Sequence, residues 1–278
     1  ELIVEDANAW KPRRSGGRVV FVGDPHQAIY GFRGADSNSL NLIAQEFNCT
    51  HLPLTVTYRC PTSVVAYAQN WVSHIEAAPG AAEGVVKHLE TKWNPSMFQA
   101  GDLVVSRTTR PLLALGYRML KAKLPVRIMG REIGQGLVNL VKKMKATDID
   151  TMLTALAVWE TREIEKAIAK QDDAKAERIS DQASAIRCIA DGMDETERTL
   201  DNLYNIIGSL FDDKGNATIL STIHKAKGME ANRVWWLGRS KCPSKWARQP
   251  WAIQQEGNLC YVAVTRAKQE LITIEEAE

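Results

Sequence analysis

The chain has 278 residues, of which 45% are hydrophobic and 24% charged, ordinary proportions for a globular protein of one large or two smaller domains. Its net charge of +2 is nearly balanced, so a nucleic-acid site must be a local patch rather than a property of the whole surface. No apolar run approaches the roughly 20 residues of a membrane span, and no membrane partner is expected.

In chain order, Leu2–Val4 and Val19–Val22 read as strands on either side of a basic loop. The second apolar run, starting at Arg18, reads as a buried parallel strand feeding the loop Gly23–Ala35. Leu54–Tyr58 is the next expected strand. Pro61–Ser63 opens a helix expected to reach about His74, and Ala77–Gly84 is a small-residue loop. Leu103–Val105 and Val126–Met129 are expected strands on either side of a helix from Pro111 to Lys121, and Gly130 ends the second. From Asp148 to about Leu210 the texture is helical: Leu200, Leu203, Tyr204, Ile207 and Leu210 keep an i, i+3, i+4, i+7 spacing. Glu160–Arg178, dense in both charge signs, reads as a solvated helix face or hairpin. Strands return at 217–220, 234–237 and 271–274. This alternation predicts a mostly parallel α/β sheet with a helical insertion. Five cysteines, odd in number and without a C-x-x-C pair, favour reduced thiols in a cytoplasmic compartment. The absence of a signal peptide and a start at Glu1 rather than Met imply a fragment or processed piece.

Four segments carry the chemistry. The loop Gly23–Ala35 offers a carboxylate, an amide, two aromatic rings, an arginine and several glycines, a mixture suited to phosphate at one end and stacked bases at the other. The second segment is Tyr58-Arg59-Cys60-Pro61, the third runs from Leu220 to Glu230, and the fourth from Asn258 to Lys268. In order and character they resemble motifs III to VI of the UvrD/Rep/PcrA-like DNA helicases of superfamily 1A, and the resemblance covers nearly the whole chain except the helical insertion.

The resemblance implies a RecA-like parallel sheet of the P-loop NTPase type with a helical insertion. It places the end of a first RecA-like domain at 1–50, parts of a second at 51–147 and 214–278, and a reduced accessory domain at 148–213. It implies an ATP-dependent helicase that moves 3′ to 5′ on single-stranded DNA, with ATP and Mg²⁺ as cofactors. Gln27 would sense the terminal phosphate, a role that an amide at a strand end can fill. Tyr58 would stack on adenine and Arg59 reach the phosphate with its planar fork. Arg266 corresponds to a second arginine finger, Glu230 to the acceptor of a ribose hydroxyl, and Gly228 belongs to the same nucleotide-side group, at a turn that needs positive φ. Phe32 and Arg33 would contact single-stranded DNA. Thr222 and His224 would touch its backbone or couple it to the nucleotide.

Two readings stay open for Tyr30, core packing or function. They stay open also for the loop in which Arg239, Lys241, Lys245, Trp246, Arg248 and Trp251 interleave: single-strand binding, with Trp246 as a DNA contact, or anchored packing. The departures are specific. No G-x-x-x-x-G-K-[ST] phosphate loop occurs, so the resemblance implies a missing N-terminal RecA-like segment that carries it. Glu5 and Asp6 stand with exchanged side chains where the family has the metal-holding Asp and catalytic Glu, and Ala9 replaces a further Asp. Gly257 and Asn258 replace basic residues. The chain alone is expected not to hydrolyse ATP. The rival reading is a non-catalytic remnant that grips DNA or a partner; a helicase-nuclease fragment has no further domain to support it.

Overall fold

A computed structural model of the chain describes residues 19–31, 38–90, 92–213 and 215–276. Its centre is a six-stranded, fully parallel sheet in the order β3 (Val85–Glu90), β8 (Ala267–Ile274), β7 (Ala231–Leu237), β4 (Leu103–Ser106), β6 (Thr218–Thr222), β5 (Val126–Ile128). A parallel sheet covered on both faces needs apolar side chains at successive positions. The strands supply them: all four residues of β4 are buried, as are the last four of β7 and of β8.

Alternate residues feed two separate cores. Val104, Leu220, Trp235 and Ile272 face one, together with α3 (Arg110–Lys121), α4 (Arg131–Lys143), α5 (Ile149–Ala169), α6 (Asp173–Asp191) and α7 (Leu200–Phe211). Leu103, Val105, Val234, Trp236 and Leu271 face the other, with α2 (Thr62–Ala68) and α8 (Pro250–Val264). The fold is the mixed α/β class of RecA-like domains. Helices α5 to α7 lie between β5 and β6 in sequence, and each opens on a side-chain cap: Asp148 accepts from the Thr151 amide (2.8 Å), Asp172 from Lys175 (2.9 Å) and Thr199 from Asn202 (3.3 Å).

Several local expectations change. Val19–Val22 is not a strand: it is irregular, with Val20 81% exposed, because no neighbouring strand among the described residues offers it a ladder. Leu54–Tyr58 contracts to β1 (Val56–Thr57), paired in parallel only with β2 (Glu76–Ala77). The helix expected to reach His74 ends at Ala68, where Asn70 Nδ2 donates to the Tyr67 carbonyl (2.7 Å) and Gln69 Nε2 to that of Ile75 (2.9 Å). The Asn70 side chain competes with the helical ladder for a last-turn carbonyl, while Gln69 ties the helix end to the turn that follows. Strand β3, with its mixed exposure, and helices α1 (Ser39–Glu46), α4 and α8 are additions to the elements expected from the sequence, α4 with its buried residues at the helical spacing Leu137, Leu140 and Val141. Leu2–Val4, Glu5, Asp6, Ala9, Phe32 and Arg33 lie outside the described residues. No described helix is long and apolar enough to cross a membrane.

Candidate functional site

The site grows from the starts of two neighbouring strands. Ala231 of β7 sits opposite Ala267 of β8, so the residues just before them, Glu230 and Arg266, are side by side, and the Ala231 amide donates to the Arg266 carbonyl at 3.1 Å. Arg59, which follows β1, reaches the same place. Its Nε donates to Glu230 Oε2 at 2.7 Å and its Nη1 to the Thr265 carbonyl at 3.4 Å. Lys268 pairs with the other Glu230 oxygen. These two cations hold the Glu230 carboxyl below its ordinary pKa, Lys268 most strongly.

Arg266 is 1% exposed. Its guanidinium donates to the Val262 carbonyl (2.9 Å), the Met229 carbonyl (3.3 Å) and Thr265 Oγ1 (3.0 Å), and no described carboxylate forms an ion pair with it. Burial, and then the charge of Arg59, pull its pKa down to about 10. Three cations therefore gather about a single carboxylate, with one of the three sealed among backbone carbonyls. Tyr58, immediately before Arg59, is 87% exposed, its ring free to receive a flat partner. Cys60 is buried beneath this cluster and its thiol pKa is raised by desolvation.

The loop after Val22 is tied to helix α8. A 3-10 turn at Pro25–Gln27 is capped by Asp24, which accepts from the His26 amide (2.9 Å) and from Gln27 Nε2 (2.8 Å). Gln27 is thus held by its own turn. Asn258 Nδ2 donates to the carbonyls of Pro25 (3.1 Å) and Ala28 (3.0 Å), and Gln255 Oε1 accepts from the Gly31 amide at 2.9 Å. A Cβ on Gly31 would lie 1.9 Å from the Gln255 amide nitrogen, so any other residue would push the Gln255 side chain from this position. Ile29 is buried in the α2–α8 core.

The third segment joins opposite ends of the sheet. Thr222 closes β6, where its Oγ1 accepts from the Lys225 amide at 3.3 Å; Glu230 precedes β7 at the other end. The span bridged is that of β7's seven residues, about 20 Å. Ile223 and Ala226 bury against the sheet along the way, and Gly228 turns the chain at φ +90°. The Tyr30 hydroxyl donates to the His224 carbonyl at 2.7 Å, and Lys227 Nζ lies 5.5 Å from the Tyr30 ring centre. Tyr30 therefore joins loop and segment.

The sequence pattern of the UvrD-like helicase C-terminal domain matches residues 119–277, and that of the UvrD/REP helicase N-terminal domain matches residues 6–48. The chain belongs to the UvrD-like helicase C-terminal domain family. It is also similar to F-box DNA helicase protein 1 of Schizosaccharomyces pombe (strain 972 / ATCC 24843), at 27% identity over 281 residues. That match covers 94% of this chain and 31% of the relative, so the chain spans about a third of that protein's length.

In this UvrD-like chain the basic and aromatic loop divides. Arg239 stacks over Trp236 (4.9 Å to the ring centre) and Trp71 (5.5 Å), Lys241 pairs with Glu276, and Trp246 packs beside Ala167, Ala176 and Ile179 of α5 and α6. Trp246 is thus partly buried, while Lys245, Arg248 and Trp251 are exposed. Sequence reasoning missed Lys268, Gln255 and Asn258. Asn258 reads there as a lost base, whereas its amide is the clamp on the loop; the missed signal was an amide in a helix otherwise buried at Leu259–Val264.

Proposed function

We propose that this chain is the C-terminal part of an ATP-dependent DNA helicase or translocase, moving 3′ to 5′ and stimulated by single-stranded DNA. The carrying observation is the cluster of Arg59, Arg266 and Lys268 about Glu230, with Arg266 buried and lacking an ion pair among the described residues. A buried guanidinium without a counter-ion is costly. A terminal phosphate beside it would supply the missing charge, in the bidentate geometry that guanidinium favours. The residues therefore fit the phosphate tail of ATP, with Tyr58 against the base, Arg59 and Arg266 on the phosphates and Gln27 at the edge of the site. Gly228 and Glu230 complete the nucleotide side. Each Glu230 oxygen accepts from one cation and keeps a further lone pair for a ribose hydroxyl.

Phe32, Arg33, Thr222 and His224 form the proposed single-strand contacts, linked to the nucleotide end by the Thr222–Glu230 segment and by Tyr30. The proposed division keeps 1–50 with a first RecA-like domain, 51–147 and 214–278 with a second, and 148–213 as the reduced accessory domain. ATP supplies the free energy when bound between the lobes; this chain's residues bind and orient its phosphates. Mg²⁺ would fall to Glu5 and Asp6, which lie outside the described residues; among the described residues no group of three His, Cys, Asp or Glu side chains could hold a metal ion.

The test is DNA-stimulated ATP hydrolysis by the longest natural form, with Arg266→Ala. An arginine finger is worth roughly 10³-fold or more in rate, and a fall of that order is expected. Activity untouched by the substitution overturns the assignment. The 278-residue chain, lacking a phosphate-loop motif, is expected to show no turnover. The missing motif also favours the second reading, a binding remnant; a phosphate loop encoded upstream of Glu1 decides against it.

A further inference from the structure

Away from the nucleotide cluster, a nearly sealed polar knot joins parts of the chain far apart in sequence. Arg107 follows β4, and 13% of its side chain is exposed. Its Nε donates to both oxygens of Glu256 on α8 (3.0 and 3.1 Å), and its Nη2 donates to Glu256 Oε1 (2.7 Å) and to Glu177 Oε2 on α6 (2.8 Å). Ser244, in the loop after β7, completes it: its amide donates to Glu256 Oε2 (2.8 Å) and its hydroxyl to Glu177 Oε1 (2.5 Å). One turn along α6, Asp181 accepts from the amides of Thr109 (3.1 and 2.8 Å) and Arg110 (3.0 Å), capping α3 from outside. Two carboxylates four residues apart on one face of α6 thus grip the corner after β4.

The other end of the knot is the helix that holds the loop. Glu256 lies between Gln255 and Asn258, which bind the Gly31 amide and the Pro25 and Ala28 carbonyls, and the same helix leads into Arg266. Nearly buried charges of this kind have little freedom to re-pair: removing one partner leaves the others unsatisfied. We propose that Glu177 is a positioning residue that, through Arg107 and Glu256, registers helices α5–α7 against α8 and so sets the loop Pro25–Gly31. The residue passes the placement of the helical insertion to the element that carries the phosphate-side and base-side contacts. Its role in the motor rests on the helicase reading, whereas the mechanical link does not.

The test separates the two. Hydrogen exchange of this chain is compared for wild type, Glu177→Gln and a control, Glu160→Gln, which breaks the Glu160–Arg187 pair (2.7 Å) within the same helices without touching Arg107. Glu177→Gln is expected to speed exchange in 24–31 and 255–266 about five-fold or more, an effect set by one lost charged hydrogen bond, while the control leaves both segments unchanged. Faster exchange confined to 107–110, 173–191 and 244, or equal effects of both variants at 24–31, overturns the proposal. Should Glu177→Gln not fold, Arg107→Lys, which keeps the charge but cannot span both carboxylates, is read by the same criterion. In the longest natural form, Glu177→Gln is expected to reduce stimulation by DNA more than basal ATP hydrolysis. An intact link with no ATPase at all defeats the helicase reading and leaves the positioning role standing.

Discussion

Replacing Asn258 with alanine removes both side-chain donors that hold the loop to α8. The Ala28 carbonyl is half-buried, so losing its 3.0 Å bond leaves an acceptor poorly reached by water; Pro25 is exposed, and its carbonyl can be rehydrated. Losing a bond whose acceptor water can reach costs about 0.5–1.5 kcal/mol and stranding a fully buried acceptor about 1–3 kcal/mol; with Ala28 between these cases and Pro25 exposed, the expected loss is about 1–2 kcal/mol. Because every 1.4 kcal/mol is a factor of ten, exchange of the amides in 24–31 should accelerate by roughly 5–30-fold. The loop should not detach, because Ile29 stays buried, Gln255 still accepts from Gly31, and Tyr30 still donates to His224. Hydrogen exchange read by mass spectrometry gives the local effect, and thermal unfolding of the same variant gives the global one. Unchanged exchange at 24–31, or a rise no larger there than in β4 and β6, would refute the clamp.

Two further outcomes follow from packing and charge. Gly134→Ala puts a Cβ 2.6 Å from the Phe211 ring, and overpacking of this kind costs about 1–3 kcal/mol, more than the helix gains from alanine; undiminished stability to urea would contradict it. Tyr261 has its phenol pKa pushed up from 10.0 to about 12 by burial first and then by the charge of Asp24. Raised in the folded state, it contributes stability that is complete below pH about 10 and is lost as pH climbs toward 12. Tyr261→Phe should therefore flatten that part of the pH profile of urea unfolding, and a profile identical to wild type sinks the assignment.

The sheet was legible because its central strands are largely apolar runs, broken only by Thr218 and Thr273: 103–105, 217–220, 234–237 and 271–274 all fall within or beside observed strands. Strand β3 was not, since its edge position leaves Lys87, His88 and Glu90 in an otherwise apolar stretch. The run at Val19–Val22 misled for the opposite reason: apolar composition announces burial, but a strand exists only where a neighbour supplies hydrogen bonds. At the candidate site, Arg59, Glu230 and Arg266 stood out in the sequence and the fold brings them together. Lys268 escaped notice because a lysine at the end of a motif reads as a solvated surface charge, and the Arg107–Glu177–Glu256 knot because its members carry no local motif.

The sheet's two cores have a consequence for how the chain tolerates change. Alternating side chains send disturbances on the α5–α7 side into one set of neighbours and those on the α2–α8 side into another. Replacements such as Leu156→Ala and Val64→Ala, on opposite sides, should then be thermodynamically independent, their costs simply adding. A lineage could enlarge, shrink or reshape the stretch between β5 and β6 while the α2–α8 half drifts on its own schedule, provided the salt-bridged corner at Arg107 is kept.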